Sequence, residues 1–349
     1  MSSTHQEKGF QQLIANHLES LGWLRSDNST GYDVERALFP EDLLGWLEDS
    51  DPENFAKIVP SSADETSRER GRRRILDRLA KQLSTDESQG GGTLKTLRGK
   101  LRLPGARDFS LMQFPPADDR NPALVDKYRL NRLRVVREVR YSTRSGASLD
   151  FVLFLNGLPV ATIELKTEMT QALEAAKQQY KKDRHPKGEP LLTVGRGALV
   201  HFAVSETEVA MTTRLEGNAT TFLPFNRGHN NGEGNPSIPG KAPTAYFWEE
   251  ILAPDTWLNI LTKFIYINHE RRTDPTTGEV TEKSQVRFPR YHQWRAVTNL
   301  TQAAREEGPG HKYLISTRRA PARLTPSHGQ PTDWPHCTPK LARRSSTTS

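Results

Sequence analysis

Apolar and polar positions alternate along the chain with two periods, one helical and one of strands. Near the N-terminus Phe10, Leu13, Ile14, Leu18 and Leu21 recur at helical spacing. Thr4-x-x-Glu7 in front of them reads as a capping box, and Gly22 closes the helix. Residues 24–105 read as short helices joined by loops, with helical spacing in Glu41–Leu47 and Ile75–Leu83. Arg134–Ser142 is predicted as a strand, and Gln171–Arg184 as a helix with Leu173, Ala176 and Tyr180 on one face. Leu199–Ser205 and Val209–Thr213 are predicted strands, and residues 226–243 a long loop. Ala245–Ile267 is apolar and reads as helical, followed by a polar turn through Arg271–Lys283.

The most informative pattern is an acidic-aliphatic hairpin. Asp150 opens the run Asp150–Leu155, Asn156-Gly157 interrupts it, and the return strand ends in Ile163-Glu164-Leu165-Lys166. Period-two alternation sends Ala161, Ile163 and Leu165 to one face and Thr162, Glu164 and Lys166 to the other. Two carboxylates and an ammonium are costly to bury unless they are paired or hold a metal. They suit phosphodiester hydrolysis, in which hard oxygen ligands hold Mg²⁺ and a cation meets the charge developing on phosphate. Geometry sets a condition. A two-residue Asn156-Gly157 loop puts Asp150 opposite Ile163, so a shared face with Glu164 requires a three-residue turn or a bulge. The plain alternative is an ordinary hairpin with a Glu–Lys pair at a frayed end.

Composition changes this picture only a little. A chain of 349 residues is long enough for two or three domains. It has no apolar run of membrane-spanning length and no signal peptide, so a cytoplasmic protein is expected. Its single cysteine excludes a disulfide framework. The net charge of +7 suggests a nucleic-acid surface, yet residues 317–349 carry +5 of it, leaving +2 over the rest. The Arg68–Arg74 run is either a phosphate contact or a solvated helix face.

Several blocks together resemble one family. Ser148–Pro159 with Ile163–Lys166 resembles the nuclease segment of the restriction (R) subunit of type I restriction enzymes. The likeness continues through Gln178–Pro186, Leu199–Val204, Met211–Leu215, Phe222–Gly228, Ala245–Glu250 and Phe288–Gln293, covering roughly residues 5 to 316. It implies an α/β fold of the PD-(D/E)xK restriction-endonuclease-like kind, a mixed sheet flanked by helices, followed by the start of a P-loop helicase-like domain. Residues 1–230 would be the nuclease domain with a helical insertion at about 24–105. Residues 231–284 would be a linker and connecting helix, and 285–316 the incomplete start of the motor. By resemblance Asp150, Glu164 and Lys166 are catalytic, with Asp150 and Glu164 the Mg²⁺ ligands. Glu7 matches an acidic first-helix position that adds to the metal site in related nucleases, although the capping role is preferred. Tyr180 is a candidate to contact DNA or orient Lys166, with simple packing the alternative. Ala176 stands where many relatives place a Gln, which leaves Gln178 and Gln179 without an assigned role. Phe288 and Gln293 resemble an adenine-contacting pair ahead of a phosphate loop.

The implied partners are DNA and the methylation (M) and specificity (S) subunits, with ATP driving translocation in the full-length family member. Here no phosphate loop follows Ile315. Ile315–Thr325 reads as a frame-shifted translation of one, so residues 317–349 are expected to be a disordered, out-of-frame tail. The alternative for the tail is a disordered basic segment with a purpose of its own; for the chain as a whole the alternatives are an autonomous Mg²⁺-dependent DNase, a non-enzymatic docking fragment and an inactive truncated product.

Overall fold

A computed structural model describes residues 3–167, 172–230, 232–273, 278, 280–308, 310–316 and 340–343. Its centre is a seven-stranded mixed sheet: β1 (Leu24–Ser26), β2 (Leu133–Arg140), β3 (Ser148–Leu155), β4 (Leu158–Lys166), β5 (Val200–Ser205), β6 (Val209–Thr212) and β7 (Leu223–Pro224), in that spatial order. β1 pairs parallel with β2, and β4 parallel with β5; the other neighbours are antiparallel. The parallel step from β4 to β5 needs a crossover, which the helix Ala172–Asp183 supplies.

Nearly every side chain of β3 and β4 is buried, as their almost unbroken apolar sequences require of strands covered on both faces. Phe151, Leu153 and Leu155 enter one apolar layer, Val152 and Phe154 the other. The first layer is closed by α1 (Ser3–Ser20), α2 (Pro40–Ser50) and α3 (Glu65–Leu83) through Ile14, Leu18, Trp46, Leu47, Ile75 and Leu79. The second is closed by α4 (Ala172–Asp183) through Tyr180, together with Leu191 and Leu192.

The β3–β4 hairpin meets the geometric condition by a bulge. Leu155 pairs with Leu158 across a two-residue turn, yet beyond Leu153 the register has moved by one, so that Phe151 faces Ile163. Val160 is the extra residue, and it enters the same apolar layer as its neighbour Ala161. Carried one residue further, this register sets Asp150 opposite Glu164. The turn itself has φ +49° at Asn156 and +79° at Gly157, as a type I′ hairpin demands. Asn156 is fully buried; its side chain donates to the Leu111 carbonyl and to Asn131 Oδ1, and accepts from the Arg132 amide.

Three regions differ from the sequence expectation. The stretch 24–105 contains a 19-residue helix, α3, and the edge strand β1, whose three residues carry too short a pattern to read. The expected polar turn at Arg271–Lys283 lies within a hairpin, β8 (Tyr266–Thr273) with β9 (Val280–Arg287), whose polar residues give no apolar alternation. Ala245–Ile267 forms two π-helical turns, Phe247–Ile251 and Ile260–Phe264, around the helix Pro254–Asn259. Trp257 from this region, Phe288 just after β9, and Tyr291 and Trp294 from α5 (Tyr291–Glu307) share the first apolar layer with Phe202 and Phe225. In the tail, β11 (Lys340–Arg343) pairs with β10 (Tyr313–Ser316), because backbone pairing needs no side-chain period. The rest of 317–349 lies outside the described residues, as does the expectation of disorder there. No described helix is long and apolar enough to cross a membrane.

The turn yields a test. A Cβ on Gly157 would lie 2.5 Å from the Phe39 carbonyl oxygen and 2.9 Å from the Leu43 amide nitrogen, at positive φ. Gly157→Ala should cost roughly 2 kcal/mol or more of folding stability in chemical denaturation. Gly146→Ala, where a Cβ meets nothing within 4 Å, should change stability by no more than about 0.5 kcal/mol.

Candidate active site

Asp150 and Glu164 meet at the end of the hairpin remote from its turn, with Lys166 one turn of the pleat beyond. Asp150 accepts the Leu165 amide hydrogen at Oδ2 (2.6 Å) and the Gln11 side-chain amide at Oδ1 (3.1 Å). Lys166 Nζ donates to both oxygens of Glu7 at 3.0 and 3.2 Å. Glu7 and Gln11 stand four residues apart on α1, so one helical face delivers both. From the other side Arg184, the first residue after α4, donates Nε–H to Glu164 Oε1 at 2.6 Å.

Burial sets the charges. Glu164 is fully enclosed, and burial followed by the neighbouring Asp150 carboxylate pushes its pKa well above the ordinary range, with Arg184 opposing. Burial also raises Asp150 to about 6, against the Leu165 amide and the Lys166 charge. For Lys166 burial acts downward, but the Glu7 hydrogen bonds and charge outweigh it and hold the ammonium above its usual value. Lys166 is therefore a fixed cation at neutral pH, suited to meeting negative charge rather than to accepting a proton.

The donor set fits a hard divalent cation. Glu164 Oε2 is buried with no hydrogen-bond partner, an unmet acceptor beside a second carboxylate. Among the described residues no three His, Cys, Asp or Glu side chains converge. Two carboxylates with the remaining positions left to water and phosphate is how Mg²⁺ is commonly held.

Other expected site residues sit elsewhere. Tyr180 is fully buried; its hydroxyl is 2.7 Å from Thr162 Oγ1, which also lies 2.7 Å from His201 Nδ1. Burial drives the His201 pKa down to about 3, so this imidazole is neutral. Tyr180 thus fastens α4 to the sheet beneath the site, and reaches neither solvent nor Lys166 in this arrangement. Phe288 is a core residue, edge-on to Phe202 with ring centroids 5.6 Å apart. Gln293 accepts the Arg290 amide hydrogen at 3.0 Å as part of the α5 capping box. Both of the expected adenine contacts are engaged in holding the fold. Gln178 bonds Glu174 on the surface, and Gln179 Oε1 is buried without a partner.

Glu7 is in the site and not a cap: α1 already begins at Ser3, which places Thr4 inside the helix. Gln11 and Arg184 escaped the sequence reading. Their signal was present as helical spacing, Gln11 from Glu7 and Arg184 from Tyr180, but polar residues at such positions ordinarily face water.

The mixed sheet flanked by helices, with paired carboxylates and a lysine at its centre, defines an α/β fold of the nuclease-like class. The family model described as type I restriction enzyme R protein N terminus matches residues 5–220, more than half of the chain. The chain belongs to this family, and these residues are the nuclease N-terminal region of a type I restriction subunit. No curated protein matches the chain.

Asp150 supplies a pH test. Its folded pKa of about 6 lies above the unfolded value of 3.8, so the folded state holds the extra proton and stability falls as pH rises through that window. In chelator, Asp150→Asn should remove up to about 2 kcal/mol of this decline, judged by urea denaturation at pH 4.5 and 7.5. A variant as pH-sensitive as the wild type would refute the assigned burial cost.

Proposed function

We propose that this chain hydrolyses DNA phosphodiesters in a Mg²⁺-dependent reaction, as the cutting part of a restriction subunit that works with methylation and specificity subunits. The observation that carries the reading is the opposition of Asp150 and Glu164 across the bulged hairpin, with Glu164 Oε2 unpartnered. Asp150 and Glu164 would hold the cation, which when bound draws charge from the phosphoryl oxygen and makes water a better nucleophile. Gln11 and the Leu165 amide fix the Asp150 carboxylate, so the pair is preorganised. Lys166 offers its ammonium to the phosphate oxygens as they gain charge, and Glu7 keeps that ammonium aimed along the strand end.

In the domain division that accompanies this reading, residues 1–230 carry the nuclease and 231–316 lead toward an ATP-driven motor. The packing of residues 245–294 onto the nuclease sheet supports a close docking of the two.

The purified chain, alone and mixed with the two partner subunits, should relax supercoiled plasmid with Mg²⁺ and fail to do so in chelator. Glu164→Gln and Lys166→Ala should each slow nicking by roughly 10²–10³-fold. Undiminished nicking in either variant, or none by the wild type under any of these conditions, would overturn the proposal.

A further inference from the structure

Two buried arginine–carboxylate pairs in this protein differ in a way that stability alone does not explain. Arg134 grips Asp42 with both ends of its fork, Nε–H to Oδ2 at 2.6 Å and an Nη2 hydrogen to Oδ1 at 2.8 Å. That is the bidentate geometry expected when such a pair only fastens elements together, and here it fastens α2 to β2. Arg184 is equally enclosed, with 7% of its surface exposed, yet it touches Glu164 through Nε and Oε1 alone. Glu164 Oε2 is left without any hydrogen-bond partner although no water reaches it. Leaving a buried carboxyl oxygen unmet costs free energy that a second guanidinium hydrogen would have recovered.

Arg184 is itself held in place. It follows α4 directly, α4 is locked to β4 by the Tyr180–Thr162 hydrogen bond, and the Arg184 guanidinium lies 5.8 Å from the Tyr141 ring centroid. The Tyr141 hydroxyl in turn donates to the Asp183 carbonyl at 3.3 Å. A rigid arginine with one contact therefore fixes the rotamer of a carboxylate and spares one oxygen.

We propose that Arg184 is a positioning residue for the carboxylate pair: by clamping Glu164 through Oε1 it presents Oε2, beside Asp150, to a divalent cation. The inference rests on the nuclease reading above and adds a residue to it. Such a partner of a ligand orients it, and its loss typically weakens metal binding more than it disturbs the fold. Arg184 also keeps positive charge behind Glu164 without occupying the oxygen the cation needs.

The test is Mn²⁺ binding to the full chain by titration calorimetry, with thermal midpoints recorded alongside. Arg184→Gln should weaken Mn²⁺ binding by about 10–100-fold. Arg184→Lys keeps the charge without the planar Nε–H and should weaken it several-fold. Arg134→Gln, which breaks the bidentate pair, should lower the thermal midpoint and leave Mn²⁺ affinity unchanged. If Arg184→Gln fails to fold, Arg184→Lys carries the test. Unchanged or tighter Mn²⁺ binding in a folded Arg184 variant would overturn the inference while leaving the nuclease reading intact. Mn²⁺ binding that survives Glu164→Gln undiminished, or is missing from the wild type, would instead defeat the reading of the site itself.

Discussion

A strand pairs with period two, and a type I′ turn of two residues fixes which residues face one another; at Asn156-Gly157 these two rules together would separate the carboxylates. Val160 reconciles them. As the one unpaired residue of β4 it lets the turn remain tight while the far end of the hairpin moves by one position. The cost of a bulge in a central strand is offset because Val160 and Ala161 both enter the apolar layer under α1, α2 and α3. The site is therefore a product of backbone register before it is a product of side chains. A hairpin with the same residues and no bulge would carry Glu164 into the apolar layer and Ile163 toward Asp150.

Once the carboxylates face each other, electrostatics decides what else must be present. Two buried carboxylates side by side repel, and burial penalises each. Cations answer from opposite sides, Arg184 from the α4 side and Lys166 from the strand itself. Lys166 in turn is steadied by Glu7, and burial lifts the Glu164 pKa well above the ordinary carboxylate range, which lessens the repulsion within the pair. On the proposed reading, a divalent cation held by the pair would relieve the repulsion that is left.

The sequence disclosed what is local. The hairpin, its need for a bulge, the helix after Lys166 and the two strands beyond it all follow from spacing, and the structure has them. The three-residue β1 and the β8–β9 hairpin were not readable, because neither displays an apolar face of sufficient length. Within the site, Asp150, Glu164 and Lys166 lie within a 17-residue span whose period could be counted. Gln11 and Arg184 could not be placed, since their partners are 139 and 20 residues away and only packing brings them together. The roles of Tyr180 and Phe288 stay open in the sequence for a related reason: an aromatic residue reads the same whether it packs against the core or waits for a ligand.

Dependence on packing has a consequence for α1. The helix brings Glu7 and Gln11 to the site from one face, while its intervening Phe10 meets Trp248 edge-on with ring centroids 5.4 Å apart. Just past its end the Trp23 indole donates to the Leu252 carbonyl at 3.0 Å. So the helix that fixes Asp150 and Lys166 rests on the π-helical turn Phe247–Ile251, not on the sheet alone. That turn belongs to the same apolar layer as Trp257, Phe288 and Trp294. A displacement of residues 245–294 would therefore be felt first at Phe10, which stands next to Gln11 and three residues from Glu7, the groups that hold Asp150 and Lys166. The aromatic residues after position 245 are thus part of what makes the carboxylate pair a defined site, although none of them touches it.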